Sequence, residues 1–586
     1  MDKSLEKSLA KWLKSQQSAC GIYLKLATLL GLLNGVAIIG QAYFFAKILH
    51  GVIMTELAVS QLRPFFIGLA ILLLTRAALV YWRERFSFEA GRLLRQDIRQ
   101  AVLNKLVALG PAFIKGKPAG AWASIVLEQV EDLHNFYSKY VPQMLLAGFI
   151  PVFILVLVFP LNWAAGVVLL TTAPLIPMFM ILVGMGAADA NRKNFSALSR
   201  LSGHFMDRLQ GLSTLKLFYR GEAEIKQIHQ ASEDFRSRTM SVLRLAFLSS
   251  AVLEFFAALS IAVLAVYFGF SYLGHLNFGH YGLGISLFTG MFVLMLAPEF
   301  FQPLRDLGTH YHAKAQAIGA AESLVELLDY PLSHVHTDGN QTPDLNQVSI
   351  RATDLRVMSM DGQCLLGPVS FNITSGQHVA IVGASGAGKT SLLQALLGFL
   401  PYEGELLIND QAFDAISLAH WRKHLAWLGQ DPLLFHGTIA ENVALGSPEL
   451  SEQDIMLLLE QAQIADFVTQ HPQGLHTVIS DQSSGVSVGQ AQRIALARAL
   501  SQQASVFILD EPTASLDEQS AEAVMAALSQ ATKAKTTLMV THKLNDLTQV
   551  DNIIVIDKGQ LVEQGDYQTL MAAQGSFYQL LQQEVS

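Results

Sequence analysis

Val379-Ala380-Ile381-Val382-Gly383-Ala384-Ser385-Gly386-Ala387-Gly388-Lys389-Thr390-Ser391 is the run that decides the fold of the second half of the chain. Its first four residues read as a buried strand, its glycines as a tight loop, and Ser391 to Leu397 as the helix that follows. Glycines let backbone amides close around phosphate oxygens, and the helix start adds positive potential. Lys389 is then placed for the β and γ oxygens of a nucleotide and Thr390 for Mg²⁺. The run predicts a P-loop with ATP held by Gly383, Ala384, Ser385, Gly386, Ala387, Gly388, Lys389, Thr390 and Ser391. Other strand-like runs, such as Val506-Phe507-Ile508-Leu509, alternate with helical stretches, the pattern of an α/β domain around a mainly parallel sheet.

Upstream the chain changes character. Its 586 residues are 51% hydrophobic and 15% charged, with mean hydropathy +0.35, which places part of it in lipid. Six apolar stretches, about 27–46, 64–82, 141–159, 163–183, 246–272 and 282–301, each approach the ~20 residues needed to cross ~30 Å of hydrocarbon. Connections 83–139 and 184–245 carry Arg83, Arg92, Arg95, Arg192, Lys193 and Arg208 among others, and the connections on the opposite side have almost no Lys or Arg. The positive-inside rule puts both termini in the cytoplasm. Those basic connections keep helical patterning, so the membrane helices are expected to run past the bilayer and turn back. Two stretches, Gly116 to Gly120 leading into 121–133, and 211–224, are expected to touch the ATPase.

Met1 to Gln17 is Lys-rich, with Leu5, Leu9, Trp12 and Leu13 at helical spacing and no apolar core of a signal peptide; it is expected to be an elbow helix on the inner membrane face. The domain reading is 1–330 membrane domain with six helices, 331–347 polar linker and 348–586 ATPase domain. Net charge is −8, from 40 basic and 48 acidic residues, and there is no basic footprint for nucleic acid. Cys20 and Cys364 fall in different domains, which argues against a disulfide or a thiolate metal site.

The apolar run that ends in Leu509-Asp510-Glu511 supplies a carboxylate for Mg²⁺, Asp510, and one placed to polarise the attacking water, Glu511. With these residues in order the chain resembles the ABC transporter ATPases over its whole length. The resemblance implies a six-helix all-α membrane domain of exporter type fused to an α/β P-loop NTPase domain. It also implies Gln430 as the glutamine of the Q-loop that reaches Mg²⁺, Ser515 and Asp517 in the D-loop, and His542 as the switch histidine for the γ-phosphate.

One motif departs from that family. Where most members have Leu-Ser-Gly-Gly-Gln, this chain has Val486-Ser487-Val488-Gly489-Gln490. In the family this signature completes the ATP site of the opposite subunit, and Val488 adds a β-branched side chain where glycine admits close approach. The aromatic that usually stacks on adenine is also missing, and Met358 and Met360 are the soft surface available. An intact Walker half beside an altered signature half predicts two unequal ATP sites in a dimer of unlike subunits.

The stretches Met185 to Arg192, Leu253 to Phe256, Ala297 to Gly308 and Ser487 to Arg493 resemble the CydD family, one half of the bacterial heterodimer CydDC. That resemblance implies a CydC-like partner, the bacterial inner membrane, export of cysteine and glutathione, a role in cytochrome bd assembly, and haem. Glu254 and Glu299 fall in the inner leaflet, where a lipid-facing carboxylate costs several kcal/mol. They are expected to face the pathway or each other's helix, with a plain interhelical hydrogen bond as the alternative. His310 and His312 are candidate haem ligands, His312 preferred, with helix-surface histidines as the alternative. A homodimeric lipid or drug exporter and a haem-responsive ATPase without transport are the competing readings.

Overall fold

A computed structural model describes residues 3–585 except 118, 177, 180–200, 202–204, 206, 207, 210, 283, 284, 332–338, 432, 480–484, 503, 514 and 515. The chain forms two compact units, Met1–Lys105 with Ala119–Tyr330, and Leu106–Pro118 with Pro331–Ser586.

The first unit is helical. α1 (Lys3–Gln16) buries Leu9 and Leu13, one turn apart on one face, and leaves Leu5 exposed. The Tyr137 hydroxyl donates to the Leu13 carbonyl at 2.7 Å and fastens that face to the unit. There follow α2 (Gly21–Ile53), α3 (Val59–Lys115), α4 (Gly120–Leu161), α5 (Trp163–Thr172), α6 (Gly221–Tyr272) and α7 (Leu287–Leu328). Among the described residues, five helices contain a segment long and apolar enough to cross a membrane, α5 being shorter. At 1.5 Å per residue the 52 residues of α6 reach about 78 Å, well beyond ~30 Å of hydrocarbon.

The fourth apolar stretch, 163–183, is described as α5 over Trp163–Thr172, and its end lies outside the described residues. The sixth, expected from 282, begins at Leu287. Gly279 and Gly282 take positive φ in the preceding loop, and Ser286 caps the helix by accepting from the Thr289 amide at 3.2 Å. Where α2 meets α4, a Cβ on Gly31 would stand 2.7 Å from Leu146, so the glycine lets the two helices approach. Ile154, Leu169, Leu264, Phe292, Phe300 and Phe301 belong to the apolar cluster among α2, α4, α5, α6 and α7.

The second unit is α/β. Its strands are β1 (Ile350–Met358), β2 (Cys364–Ile373), β3 (His378–Val382), β4 (Tyr402–Ile408), β5 (Gln411–Ala412), β6 (Leu425–Leu428), β7 (Gly437–Thr438), β8 (Val478–Ile479), β9 (Val506–Asp510), β10 (Thr536–Val540), β11 (Asn552–Asp557) and β12 (Gln560–Gly565). A six-stranded sheet runs β12-β11-β3-β10-β9-β6, parallel except at β12, and an antiparallel sheet runs β2-β1-β4-β5. All of β9 and β10 and nearly all of β3 are buried, as parallel strands covered on both faces must be. Three helices matter for the site: α8 (Lys389–Leu396), α9 (Val488–Leu500) and α10 (Glu518–Ala531). Gln341 already belongs to this unit, its amide donating to Ala415 at 2.9 Å, and Leu345 is fully buried.

The first stretch expected to touch the ATPase is divided, 116–118 falling in the second unit and Ala119 onward in the first. α3 breaks earlier, at Gly110 with φ 77°, a conformation that glycine takes at little cost just before Pro111. Leu106–Pro118 belong to the second unit, where Ala112 packs on the core around Leu393, whereas Ala121–Leu133 stay with the first. The second stretch forms a short exposed helix, Leu212–Leu217.

Candidate active site

β10 lies between β3 and β9, and Val540 is in register with Ile381 on one side and Asp510 on the other. Three loops therefore leave the sheet side by side: the glycine run after β3, Glu511 after β9, and Thr541-His542 after β10. A crevice at the carboxyl ends of parallel strands is where open α/β sheets bind ligands.

The glycine run is set by sterics. A Cβ on Gly383, at φ 151°, would stand 2.0 Å from the Ile556 carbonyl oxygen, and one on Gly388, at φ 101°, 2.9 Å from that of Leu365. Lys389 is buried at 5% exposure, and its Nζ donates to the carbonyls of Gly383 at 2.8 Å and Ala384 at 3.0 Å. Burial pushes its ammonium pKa down against the pull of Glu511 and Asp510. Phosphate oxygens are stronger acceptors than the two carbonyls that hold it here.

The Thr390 hydroxyl lies 3.4 Å from Asp510 Oδ1. Adjacent ligands of an octahedral Mg²⁺ at about 2.1 Å are about 3 Å apart, so the pair would fit that ion, with Gln430 as the third expected ligand. Burial raises the Asp510 carboxyl pKa, with Glu511 adding to it and the Thr390 hydrogen bond opposing it. Bound Mg²⁺ would supply the opposite charge.

Glu511 has φ 50°, an uncommon backbone state for a non-glycine residue, and its amide donates to Val540 O at 2.9 Å. Gln430 Nε2 donates to Glu511 Oε2 at 2.8 Å, and His542 Nε2 is 2.5 Å from Glu511 Oε1. The expected water-polarising carboxylate, Q-loop glutamine and switch histidine thus meet on one group. Gln492, inside the stretch Ser487 to Arg493, is 1% exposed and its Nε2 donates to Pro512 O at 3.1 Å and Gly429 O at 3.4 Å. It ties α9 to the residues just before Gln430 and just after Glu511.

The signature residues form the start of α9. Ser487 caps the helix, accepting from the Gln490 amide at 3.2 Å, while Gln490 Oε1 accepts from the Ser487 amide at 2.8 Å. Val488 is the first residue of the helix and 55% exposed, so its branched side chain stands on the surface a partner would approach. A Cβ on Gly489 would stand 3.4 Å from Leu516. Asp517 caps α10 by accepting from Ser520, which holds its carboxyl below the usual range; Ser515 lies outside the described residues. Near the adenine position Met358 and Met360 are half-buried, and the neighbouring Tyr402 donates its hydroxyl to Asp414 at 2.7 Å.

In the helical unit both candidate carboxylates meet arginines. Glu254 on α6 bonds Arg305 on α7 at 2.6 Å; Glu299 on α7 lies 3.5 Å from Arg76 on α3, and Arg76 also donates to Gln41 on α2 at 3.1 Å. Arg76 is a lone arginine inside the apolar stretch 64–82, a signal that was there to read. His312 is exposed, whereas His310 lines a cavity of about 250 Å³ with Arg83, Glu84 and Lys139 in its walls. That is smaller than the roughly 300–1,000 Å³ of pockets for drug-sized ligands, and its charged walls do not match a porphyrin, so the residues beside His310 do not fit a haem.

The ABC transporter transmembrane region family matches residues 24–295 and the ABC transporter family residues 366–514. The chain is 52% identical, over 99% of both sequences, to the transport ATP-binding protein AarD of Providencia stuartii. It is also 52% identical, again over 99% of both, to the glutathione/L-cysteine transport system ATP-binding/permease protein CydD of Escherichia coli. The CydC protein of the same description from Bacillus subtilis is 29% identical, over 96% of this chain and 97% of its own. A solved bacterial Atm1-family ABC exporter with ATP bound shares the fold at TM-score 0.78 and 22% identity, covering 97% of this chain and 99% of its own.

Proposed function

Since the chain belongs to the CydD-like ABC exporters, we propose that it is one half of a heterodimer that uses ATP to move cysteine and glutathione from the cytoplasm to the far side of a bacterial inner membrane. It is a multi-pass membrane protein with a cytoplasmic, ATP-hydrolysing domain that works with ATP and Mg²⁺. Both termini are read as cytoplasmic, from the basic connections on that side.

The observation that carries the heterodimer is the contrast within one chain. The Walker half is complete, with Lys389, Thr390, Asp510, Gln430, Glu511 and His542 brought together, while the signature half presents Val488 at an exposed helix start. Two copies of this chain would carry Val488 into both ATP sites. A CydC-like partner with an unaltered signature would complete the site built on Lys389. The substrate class rests on the names of relatives that match the chain from end to end.

In the working cycle Lys389 and the loop amides would hold the phosphates, Thr390, Asp510 and Gln430 would hold Mg²⁺, and Glu511 would take the proton of the attacking water. His542 turns from Glu511 to the γ-phosphate. Co-purification with the CydC-like half, followed by ATP hydrolysis with cysteine or glutathione added, tests the reading. Stimulation of the pair and little activity from the chain alone is expected; a self-dimer with the same stimulated activity would overturn it.

A further inference from the structure

Where α3, α4 and α7 meet, the cavity of about 250 Å³ is lined by Arg83, Glu84, Ser87, Lys139, Gln143 and His310 among others. Arg83 follows the second apolar stretch and Lys139 precedes the third, so the cavity opens at the inner boundary of the membrane. Its charges do not balance. Glu84 is taken up by Arg83 at 2.7 Å, and Lys139 has no acceptor within bonding distance among the described residues. Asp306, one turn before His310, is itself engaged by Gln302 at 2.8 Å. Ser87 and Gln143 are buried at 5% and 8% exposure, and the Gln143 amide donates to Pro303 O at 3.0 Å. The cavity therefore presents a spare cation and neutral polar groups beside the Arg83–Glu84 pair.

Cysteine and glutathione share more than a thiol. Each ends in a free α-ammonium and α-carboxylate, the second through its γ-glutamyl residue. We propose that this cavity captures that end group, the carboxylate against Lys139 and the ammonium sharing Glu84 with Arg83. The assignment rests on the thiol-export reading. The volume suits it, being too small for a drug-sized ligand and adequate for the end of an amino acid. A second pair of the same kind lies further along the membrane. Arg76 is seven residues before Arg83, on the same face of α3 and about 10 Å away, and faces Glu299 at 3.5 Å with each side chain about one-third exposed. An end group released from Lys139 meets a matching pair on its way outward.

The test uses the co-purified pair in inverted vesicles and measures uptake of labelled cysteine, with cysteine ethyl ester as a competitor that lacks the carboxylate. The unaltered complex should take up cysteine and discriminate against the ester; failure of that uptake would count against thiol export itself. With uptake present, Lys139→Gln should raise the KM for cysteine about tenfold and abolish the discrimination, whereas Lys139→Arg should keep both. An unchanged KM and unchanged discrimination in Lys139→Gln would overturn the capture site. A defect that appears only when the vesicles contain anionic lipid would also overturn it, by assigning the cavity to a lipid headgroup.

Discussion

His542 Nε2 stands 2.5 Å from Glu511 Oε1, and Gln430 Nε2 donates to the other oxygen of the same carboxylate at 2.8 Å. The group that must polarise water is thus held by the two residues that must face the γ-phosphate and Mg²⁺. Nucleotide has to draw both away before Glu511 can act, which links hydrolysis to closure of the site.

Glu511→Gln keeps the size and the contact with Gln430 and removes the base. Phosphate release by the heterodimer should fall about 10²- to 10⁴-fold while ATP binding persists. Parallel measurements of phosphate release and equilibrium nucleotide binding separate the two, and loss of binding would show that Glu511 acts mainly in holding the site together.

Val488→Gly should raise turnover at the site that borrows this signature, because an exposed β-branched side chain no longer limits how closely the helix start approaches phosphate. The loss of a side chain at the first position of α9 costs up to about 1 kcal/mol of helix stability, which the capping box of Ser487 and Gln490 limits. Hydrolysis should be measured with the Lys389 site silenced by Glu511→Gln, so that the other site is read alone.

Asp510→Asn should stabilise the nucleotide-free complex at neutral pH while abolishing Mg²⁺-dependent hydrolysis. Burial raises this carboxyl pKa in the folded state, so the native protein binds the proton more tightly than the unfolded chain does. The destabilisation from keeping it charged is absent below the ordinary value of about 3.9, and is fully present once pH passes the raised folded value. Melting temperatures recorded from acid to neutral pH should diverge as pH rises, Asp510→Asn melting higher; saturating Mg²⁺-ATP should narrow the gap from the side of the unaltered protein.

Glu299→Ala leaves Arg76 with Gln41 alone among the described residues at membrane depth, at a cost of about 1–3 kcal/mol given the partial exposure of the pair. Less complex should accumulate in membranes and its melting temperature should fall. The exchange Arg76→Glu with Glu299→Arg should recover more of both than either single change allows.

The ATP site was legible because its chemistry leaves little choice of residue. Gly383 cannot carry a Cβ beside Ile556, and a buried apolar strand that ends in Asp510-Glu511 has few other uses. Gln492 was harder, because its role comes from burial between two loops 63 and 20 residues away. The start of α7 was missed because Gly282 and its neighbours are apolar enough to pass as helix, and the Ser286 cap, which was visible, marks the true beginning. Lys139 was least legible: its significance depends on three helices meeting and on Glu84 already being engaged, which no local spacing records.

Uptake of labelled cysteine into inverted vesicles that hold the chain with its CydC-like half, with ATP and with Glu511→Gln in place of the native carboxylate, probes the coupling of ATP to export most directly. Accumulation that needs ATP and disappears with Glu511→Gln is the predicted result. Equal accumulation by both forms would contradict it.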